Sequence, residues 1–395
     1  MAAIPRLRPY SGPAILSYGF RPFFLLGALY SGAIVLIWLP VFFGEIDIPT
    51  ALTPRDWHFH EMLYGYLSAV ITGFLLTAIP NWTGRLPLQG MPLLVLVLAW
   101  VVGRAAVGFS EPIGWGAATV IDVAFLILVA AAAAREIVVG RNWRNLRVVA
   151  LVCLLALANI GFHLEAHFAS SADYSIRLGV SAVVLLLSVI GGRITPSFTH
   201  NWLVRENPGR LPVPFDRFDG VVVITSTLAL ALWTCIPQSY PSAALLALAA
   251  ILQAVRLLRW AGIRAMREPL VLILHIGYGF VPLGFALAAL ASAGVVPATT
   301  AIHAWTVGAF GTMTLAVMTR ATLGHTGRSL SASPATQLIY AAVLLAAAAR
   351  IWAALQPASM EVLLHVAAFA WAAAFLGFGI IYGPMLCQQR IREAQ

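Results

Sequence analysis

Long apolar stretches alternate with short polar breaks along the whole chain. Each stretch is about 18 residues or longer, enough for a helix to cross a hydrocarbon core about 30 Å thick. The breaks are rich in Gly, Pro and Arg, which mark the ends of membrane helices. The pattern predicts twelve transmembrane helices, near residues 22–43, 56–80, 90–109, 113–134, 146–169, 174–194, 218–236, 240–260, 268–292, 298–320, 334–354 and 359–386.

The predicted fold class is therefore an all-α polytopic membrane protein, with residues 1–395 forming a single transmembrane domain. Composition agrees, because 61% of the residues are hydrophobic and only 10% are charged, against about a quarter charged in soluble proteins. The formal net charge is +9, and all 24 basic residues are arginines. Most of these lie in short loops, so they are read as topology signals and membrane lipid, not nucleic acid, is the expected partner.

The arginines also predict an orientation. With both termini in the cytoplasm, twenty arginines fall inside and only Arg55, Arg104, Arg177 and Arg350 fall outside. This asymmetry follows the rule that positive charge stays on the cytoplasmic side.

The three cysteines stand alone in separate apolar stretches, at Cys153, Cys235 and Cys387. Without a CxxC or CxxCH motif, a zinc ribbon, an iron–sulfur cluster and a covalently attached c-type haem are not expected. Each cysteine is expected to be a small buried side chain.

Histidines cluster on one side of the predicted membrane. Six of nine fall within roughly 10 Å of the outer boundary: His58, His60, His163, His167, His303 and His365. Ionisable groups inside a span are costly and mark functional sites, and imidazole binds haem iron and copper. The cluster predicts a haem or polynuclear metal site, although any one histidine is also explained as an interfacial residue. His200 and His325 are expected to hold loops at the inner face, and His275 to pack in span 9.

Spacing distinguishes the histidine pairs. His58 and His60 are two apart on a helix, so their side chains point about 200° apart and would serve two different centres. His163 and His167 are four apart and share a helix face, so both could bind one metal ion.

Charged neighbours offer supporting roles. Glu61 and Glu165 adjoin these histidines and could orient an imidazole or relay protons, or be interfacial acids held by arginine. Arg55, Arg104 and Arg177 could hold haem propionates through charge-assisted hydrogen bonds, or simply anchor the interface.

Spans 2 and 10 resemble each other without a gap. His60-x4-Gly65 matches His303-x4-Gly308, and Thr83-Gly84-Arg85 matches Thr326-Gly327-Arg328, all at an offset of 243. Repeats of this kind predict three related four-helix arcs around a pseudo-threefold axis. His60 and His303 would then face each other and could ligate one haem iron from both sides.

Five stretches resemble the NnrS family: Tyr18-Gly-Phe-Arg-Pro-Phe-Phe24, Trp57-His-Phe-His-Glu-Met62, Gly73 through Arg85, Gly192 through Trp202, and His303 through Arg328. The resemblance implies a bacterial inner-membrane protein that contains haem b and copper and acts in the response to nitric oxide. It also implies a role in nitrosative stress or denitrification, and an electron donor of unknown identity.

A more distant similarity is to the catalytic subunits of haem–copper oxidases and nitric oxide reductases, which also have twelve spans in three arcs. This chain departs from them in carrying HxH on span 2 rather than span 10, and in lacking a histidine in span 7. Their copper ligands are therefore not carried over, because a shared layout does not fix function.

The leading interpretation is a haem- and copper-containing protein that binds or reduces nitric oxide on the outer side. His60 and His303 are expected as axial ligands of one haem, and His163 and His167 as copper ligands. His58 and His365 would complete that site or ligate a second haem.

Two alternatives remain open. The first is a non-catalytic sensor or scavenger of nitric oxide or metal. The second is a twelve-helix transporter, which is disfavoured because the repeat runs at four-helix intervals and charge near the midplane is rare, with Asp122 the main exception.

Overall fold

The computed structural model describes residues 10–391, so Arg6, Arg8 and Arg392 of the orientation prediction lie outside the described part. Within that part the chain is helical and has no strand. Twelve helices are long and apolar enough to cross a membrane. They are α1 (Phe20–Phe42), α2 (Pro54–Thr83), α3 (Met91–Gly108), α4 (Trp115–Val139), α5 (Trp143–Phe168), α6 (Asp173–Glu206), α7 (Arg217–Cys235), α8 (Tyr240–Leu258), α9 (Pro269–Ser292), α10 (Ala298–His325), α11 (Pro334–Leu355) and α12 (Pro357–Cys387).

The predicted fold class is confirmed, and each predicted span coincides with one of these twelve helices. The largest differences lie at the inner ends, meaning the ends on the side predicted to face the cytoplasm: α6 runs on to Glu206, α4 to Val139 and α10 to His325. The extensions of α6 and α10 bury threonines, and the Thr199 hydroxyl donates to the carbonyl of Thr195 at 2.8 Å. Hydropathy marks where a helix leaves the hydrocarbon, whereas the helix itself continues as long as its backbone bonds are made.

Side-chain caps fix where several helices begin. Thr53 accepts a hydrogen bond from the backbone N–H of Asp56 at 3.2 Å and so starts α2 just before Pro54. Asp216 and Asp219 form a capping box at the start of α7. Hydrogen bonds from Arg259 hold the pKa of the exposed Asp216 carboxyl at about 2. Such caps satisfy the first amide groups of each helix at the membrane boundary.

The chain forms two compact units. Unit 1 comprises residues 10–179, Ala321–Arg328 and 375–391, and unit 2 comprises Val180–Arg320 and Ser329–Ala374. The division into two units does not test whether residues 1–395 form a single transmembrane domain or whether the helices form three arcs. Both therefore stay predictions.

Unit 1 contains α1 to α5 around an aromatic core of Phe23, Phe24, Phe125 and Phe162, each at most 1% exposed. At its inner side the guanidinium of Arg21 donates to the backbone carbonyls of Leu386 and Gln388, at 2.8 and 2.6 Å. The charge of this arginine is thus satisfied by the last turn of α12 and the residue beyond it.

Unit 2 contains α7 to α9, most of α10 and α11, and a buried polar network. Arg256 donates to Asp219 at 2.7 Å, to the Ser188 carbonyl at 2.9 Å and to the Tyr278 hydroxyl at 3.0 Å. Tyr278 in turn donates to Gln253 at 2.8 Å. A charge inside the membrane is tolerated when it is paired and hydrogen-bonded in this way.

The two repeated spans share an unusual backbone feature. In α2 a π-helical turn, Glu61–Leu67, begins directly after His60, and in α10 another, Ala304–Gly311, begins directly after His303. Such turns are rare and occur often at functional sites. The similarity of the two segments therefore extends from sequence to local backbone.

The expectation of buried cysteines is wrong. Cys153, Cys235 and Cys387 are all exposed. The reason is that an apolar stretch in a membrane protein has two apolar surroundings, the protein core and the lipid, and a small sulfur side chain fits either.

The orientation can be tested by thiol labelling in a chain whose three native cysteines are replaced by serine. Val295→Cys, in the exposed connection between α9 and α10, is expected to react with a membrane-impermeant maleimide in spheroplasts. Ser331→Cys, between α10 and α11, is expected to react only after the membrane is opened. The reverse pattern would invert the predicted topology.

Candidate metal centre

A cluster of polar side chains, buried except for the half-buried Tyr30, lies in unit 1, toward the outer ends of its helices. It brings together seven residues from five helices: Tyr30, His60, Glu61, Arg104, Asp122, Asn159 and His163. At 1.5 Å per residue they lie about 6 to 18 Å from the outer ends of their helices. The histidines and carboxylates of the cluster therefore sit in the outer half of the predicted membrane.

Three of these side chains converge on one point. Oδ2 of Asp122 lies 3.1 Å from Nε2 of His60 and 3.0 Å from Nε2 of His163, and all three atoms are within 4.8 Å of one another. Because metal–ligand bonds to such atoms are about 2.0–2.2 Å long, atoms about 3 Å apart are spaced like neighbouring ligands of one ion. Two imidazoles and one carboxylate form a ligand set for transition metals.

Hydrogen accounting shows that this point needs a cation. Nδ1 of His60 lies 3.0 Å from Oε1 of Glu61, and since a carboxylate only accepts, Nδ1 carries the hydrogen. The Asn159 amide nitrogen donates to Asp122 at 2.8 Å, so it is Oδ1 of Asn159 that faces His60. Nε2 of His60 therefore faces two acceptors, Oδ2 of Asp122 and Oδ1 of Asn159. Both atoms accept, so either a second proton on His60 or a metal ion must lie between them. The donor set fits a metal ion.

The two carboxylates share one arginine. Nη1 of Arg104 donates to Oε2 of Glu61 at 2.6 Å, and Nη2 donates to Oδ1 of Asp122. The Tyr30 hydroxyl also donates to Oε2 of Glu61. With both imidazoles neutral, one guanidinium charge against two carboxylate charges leaves the cluster one positive charge short, which a bound cation or a second proton on His60 would supply. Carboxylates that hold metal-ligating histidines in orientation are a common feature of metal sites.

The packing around Gly65 explains why the repeat motif His60-x4-Gly65 needs a glycine in α2. A Cβ atom at Gly65 would lie 2.8 Å from Oε2 of Glu61 and 2.9 Å from Nη1 of Arg104. The carbonyl of Gly65 also accepts the indole N–H of Trp100 at 2.8 Å. The glycine five residues after His60 thus leaves room for the ion pair that supports the histidine.

A protein-family model described as NnrS protein matches residues 14–390, nearly the whole chain. The chain belongs to the NnrS family. Membership confirms the resemblance of the motifs and supports a multi-pass membrane protein of the nitric oxide response. The family's association with metal binding agrees with the buried His–Asp–His group. No curated protein matches the chain.

In this NnrS protein, four of the predicted site residues come together: His60, Glu61, Arg104 and His163. The partners of His163 are His60 and Asp122, whereas the ring of His167 stacks on Trp115 at 3.8 Å. Ligation of copper by His163 and His167 together stays a prediction. So does the propionate role of Arg104, whose Nη1 and Nη2 both donate to carboxylates.

The other candidates of unit 1 have structural contacts. His58 stacks on Trp38 at 4.1 Å. Arg55 forms an exposed ion pair with Asp173, and Arg177 lies partly buried on α6. These contacts leave the proposed haem roles of His58, Arg55 and Arg177 as predictions.

Glu165 caps the start of α6. Its carboxylate oxygens accept the backbone N–H groups of Tyr174 and Ser175, at 2.8 and 2.7 Å. Of the two glutamates proposed to orient an imidazole, Glu61 is the one in contact with a histidine of the cluster.

Unit 2 carries His303 and His365. Nδ1 of His303 donates to the Thr299 carbonyl at 2.6 Å, and Nδ1 of His365 donates to the Glu361 carbonyl at 2.8 Å. Each neutral ring therefore carries its lone pair on Nε2, the atom that would bind a metal. Joint ligation of one haem by His60 and His303, which belong to different units, stays a prediction.

Asp122, Asn159 and Tyr30 were not predicted as parts of the site. Asp122 carried a usable signal, because a lone acid inside a span marks a functional site and its depth matches that of the outer histidines. Asn159 and Tyr30 are polar residues of ordinary kinds in apolar helices, and nothing in the sequence distinguishes them.

Loss of the shared arginine is expected to destabilise the metal-free protein. Arg104→Gln leaves Glu61 and Asp122 buried without their counter-ion, which costs about 3–5 kcal/mol of unfolding free energy when a buried pair is broken. Arg55→Gln, which removes an exposed pair worth about 0–1 kcal/mol, is the control. Thermal unfolding in detergent compares the two, and equal melting temperatures would contradict the central role of Arg104.

Proposed function

We propose that this chain binds nitric oxide at a metal ion held by His60, Asp122 and His163. The observation that carries the proposal is the convergence of two imidazole nitrogens and one carboxylate oxygen at a buried point that is one positive charge short. Family membership supports nitric oxide as the ligand. Nitric oxide is small and apolar, so it reaches a site inside the membrane through lipid without a polar channel.

The proposed metal is copper or ferrous iron, since both accept imidazole and carboxylate ligands. The ion would supply an open coordination position that binds the gas. His60 and His163 would hold the ion through their ring nitrogens, and Asp122 would hold it through a carboxylate oxygen and balance its charge. Glu61 fixes the ring of His60 through Nδ1, and Arg104 holds both carboxylates in place. The ring of Phe162, which is fully buried, lies against His60 and helps keep water from the site.

Haem b is proposed as a second cofactor, which His303 would hold through Nε2. The hydrogen bond from Nδ1 to the Thr299 carbonyl supports this role, because metal-ligating histidines commonly donate the other ring hydrogen to a carbonyl or carboxylate. The protein is proposed to sit in the bacterial cytoplasmic membrane with both termini inside.

Metal content tests the ligand set. His60→Gln, Asp122→Asn and His163→Gln are each expected to weaken binding of copper or ferrous iron at least tenfold, because each removes one ligand atom. His167→Gln is the matched control, since it alters a histidine on the same helix and face that stacks on Trp115. Retention of metal by Asp122→Asn together with loss by His167→Gln would favour the His163–His167 pair and refute the triad.

Nitric oxide binding tests the function. Metal-loaded protein, kept anaerobic and reduced, is expected to take up about one nitric oxide per triad ion, seen as a change in its optical or paramagnetic resonance spectrum. The His163→Gln protein should lack that change. Continued consumption of the gas with formation of nitrous oxide would make the chain a reductase instead of a binding protein. A metal-loaded wild type whose spectrum does not respond to nitric oxide would exclude both roles at this site.

A further inference from the structure

Tyr30 joins the candidate metal centre from α1 by donating a hydrogen bond. Its hydroxyl donates to Oε2 of Glu61, and the direction of this bond is fixed because a carboxylate only accepts. The Tyr30 ring is half-buried and packs edge-on against the indole of Trp100, with ring centroids 5.4 Å apart. That indole is fixed in turn by donation to the Gly65 carbonyl at 2.8 Å. Packing and hydrogen bonding therefore hold the Tyr30 hydroxyl against the carboxylate.

Glu61 connects this hydroxyl to a ligand of the proposed ion. Its other oxygen, Oε1, accepts from Nδ1 of His60 at 3.0 Å. Nε2 of the same ring faces Oδ2 of Asp122 at 3.1 Å, where the ion is proposed to bind. Tyr30, Glu61 and His60 thus form one hydrogen-bonded chain that ends at the metal position. Glu61 and His60 are at most 1% exposed, so water weakens the electrostatic effect of this chain very little.

The donors to Glu61 control how strongly it attracts the Nδ1 hydrogen of His60. A carboxylate that accepts from a metal-ligating histidine raises the basicity of that ligand, and a more basic ligand stabilises the oxidised, more highly charged ion. Each further donor withdraws negative charge from the carboxylate and weakens this effect. Oε2 of Glu61 has two such donors, Nη1 of Arg104 at 2.6 Å and the Tyr30 hydroxyl. Arg104 also donates to Asp122, whereas a hydroxyl has one hydrogen, so Tyr30 acts on Glu61 alone.

We infer that Tyr30 is a positioning residue that favours the reduced state of the bound ion, because it limits the negative charge that Glu61 directs at His60. The inference rests on the proposed function, in which His60, Asp122 and His163 hold copper or iron. Nitric oxide accepts electron density from the metal that binds it, so the reduced ion binds the gas more tightly. The Tyr30 hydroxyl thus keeps the ion in the state that binds nitric oxide.

The test measures the midpoint potential of the ion in the full-length, metal-loaded protein in detergent. Copper is the probe, or iron where metal analysis finds iron in the purified protein, and paramagnetic resonance follows the oxidised fraction during a redox titration. Tyr30→Phe removes the hydroxyl and keeps the ring, so it is expected to lower the midpoint potential. At the wild-type midpoint, the ratio of reduced to oxidised ion should fall roughly twofold to tenfold, the range expected for one hydrogen bond.

Tyr64→Phe is the matched control, because it also removes a hydroxyl from a tyrosine beside the same histidine. The Tyr64 ring contacts the ring of His60, with centroids 5.3 Å apart. Its hydroxyl donates to the backbone carbonyl of Ser175 at 3.4 Å, not to Glu61. The midpoint potential of the Tyr64→Phe protein should therefore equal that of the wild type.

A purely structural role for Tyr30 gives a different result, since it would weaken binding of both oxidation states alike and leave the midpoint potential unchanged. The inference is overturned if Tyr30→Phe keeps or raises the wild-type potential, or if Tyr64→Phe lowers it as much. Metal analysis of the wild type separates this outcome from failure of the proposed function. A wild type that binds neither copper nor iron contradicts both, whereas bound metal with an unchanged potential in Tyr30→Phe contradicts the inference alone.

Discussion

The candidate centre depends on the contact of Arg104 with two carboxylates. Moving a carboxylate out of water costs several kcal/mol, and two in contact would also repel each other. Arg104 offsets both costs at once, since one nitrogen binds Glu61 and another binds Asp122. The bridge connects α2, α3 and α4, and it leaves the remaining oxygen of each carboxylate facing an imidazole. The positions of both histidines follow from this arrangement.

The helices reach that arrangement through local backbone chemistry. The π turn after His60 places Glu61 and Gly65 on the side of α2 that meets Arg104, and the missing Cβ of Gly65 admits the ion pair. A regular α-helix with alanine at this position would separate the charges or force a shift of the backbone. The π turn interrupts the regular α-helical hydrogen bonds, and the buried ion pair that it makes possible offsets that loss.

Much of the fold was predictable from the sequence, but less of the centre was. Hydropathy and arginine placement gave the twelve spans and a common depth for the outer histidines, because both depend only on distance along the chain. They do not give the rotation of each helix. For that reason the sequence predicts a shared face for His163 and His167 on one helix but not the contacts of His163 with His60 and Asp122 on two other helices. The prediction of buried cysteines is wrong for a related reason, since lipid and core are both apolar.

The repeated element has different surroundings in the two units. In each, a histidine precedes a π turn in the outer half of a span. Beside His60 lie Glu61, Asp122 and Arg104, and with neutral imidazoles their charges sum to one negative excess. Nδ1 of His303 instead donates to the uncharged carbonyl of Thr299. Because an uncompensated charge inside the membrane is costly, the surroundings of His60 favour a positive charge at its Nε2, and the hydrogen bond of His303 carries no such demand.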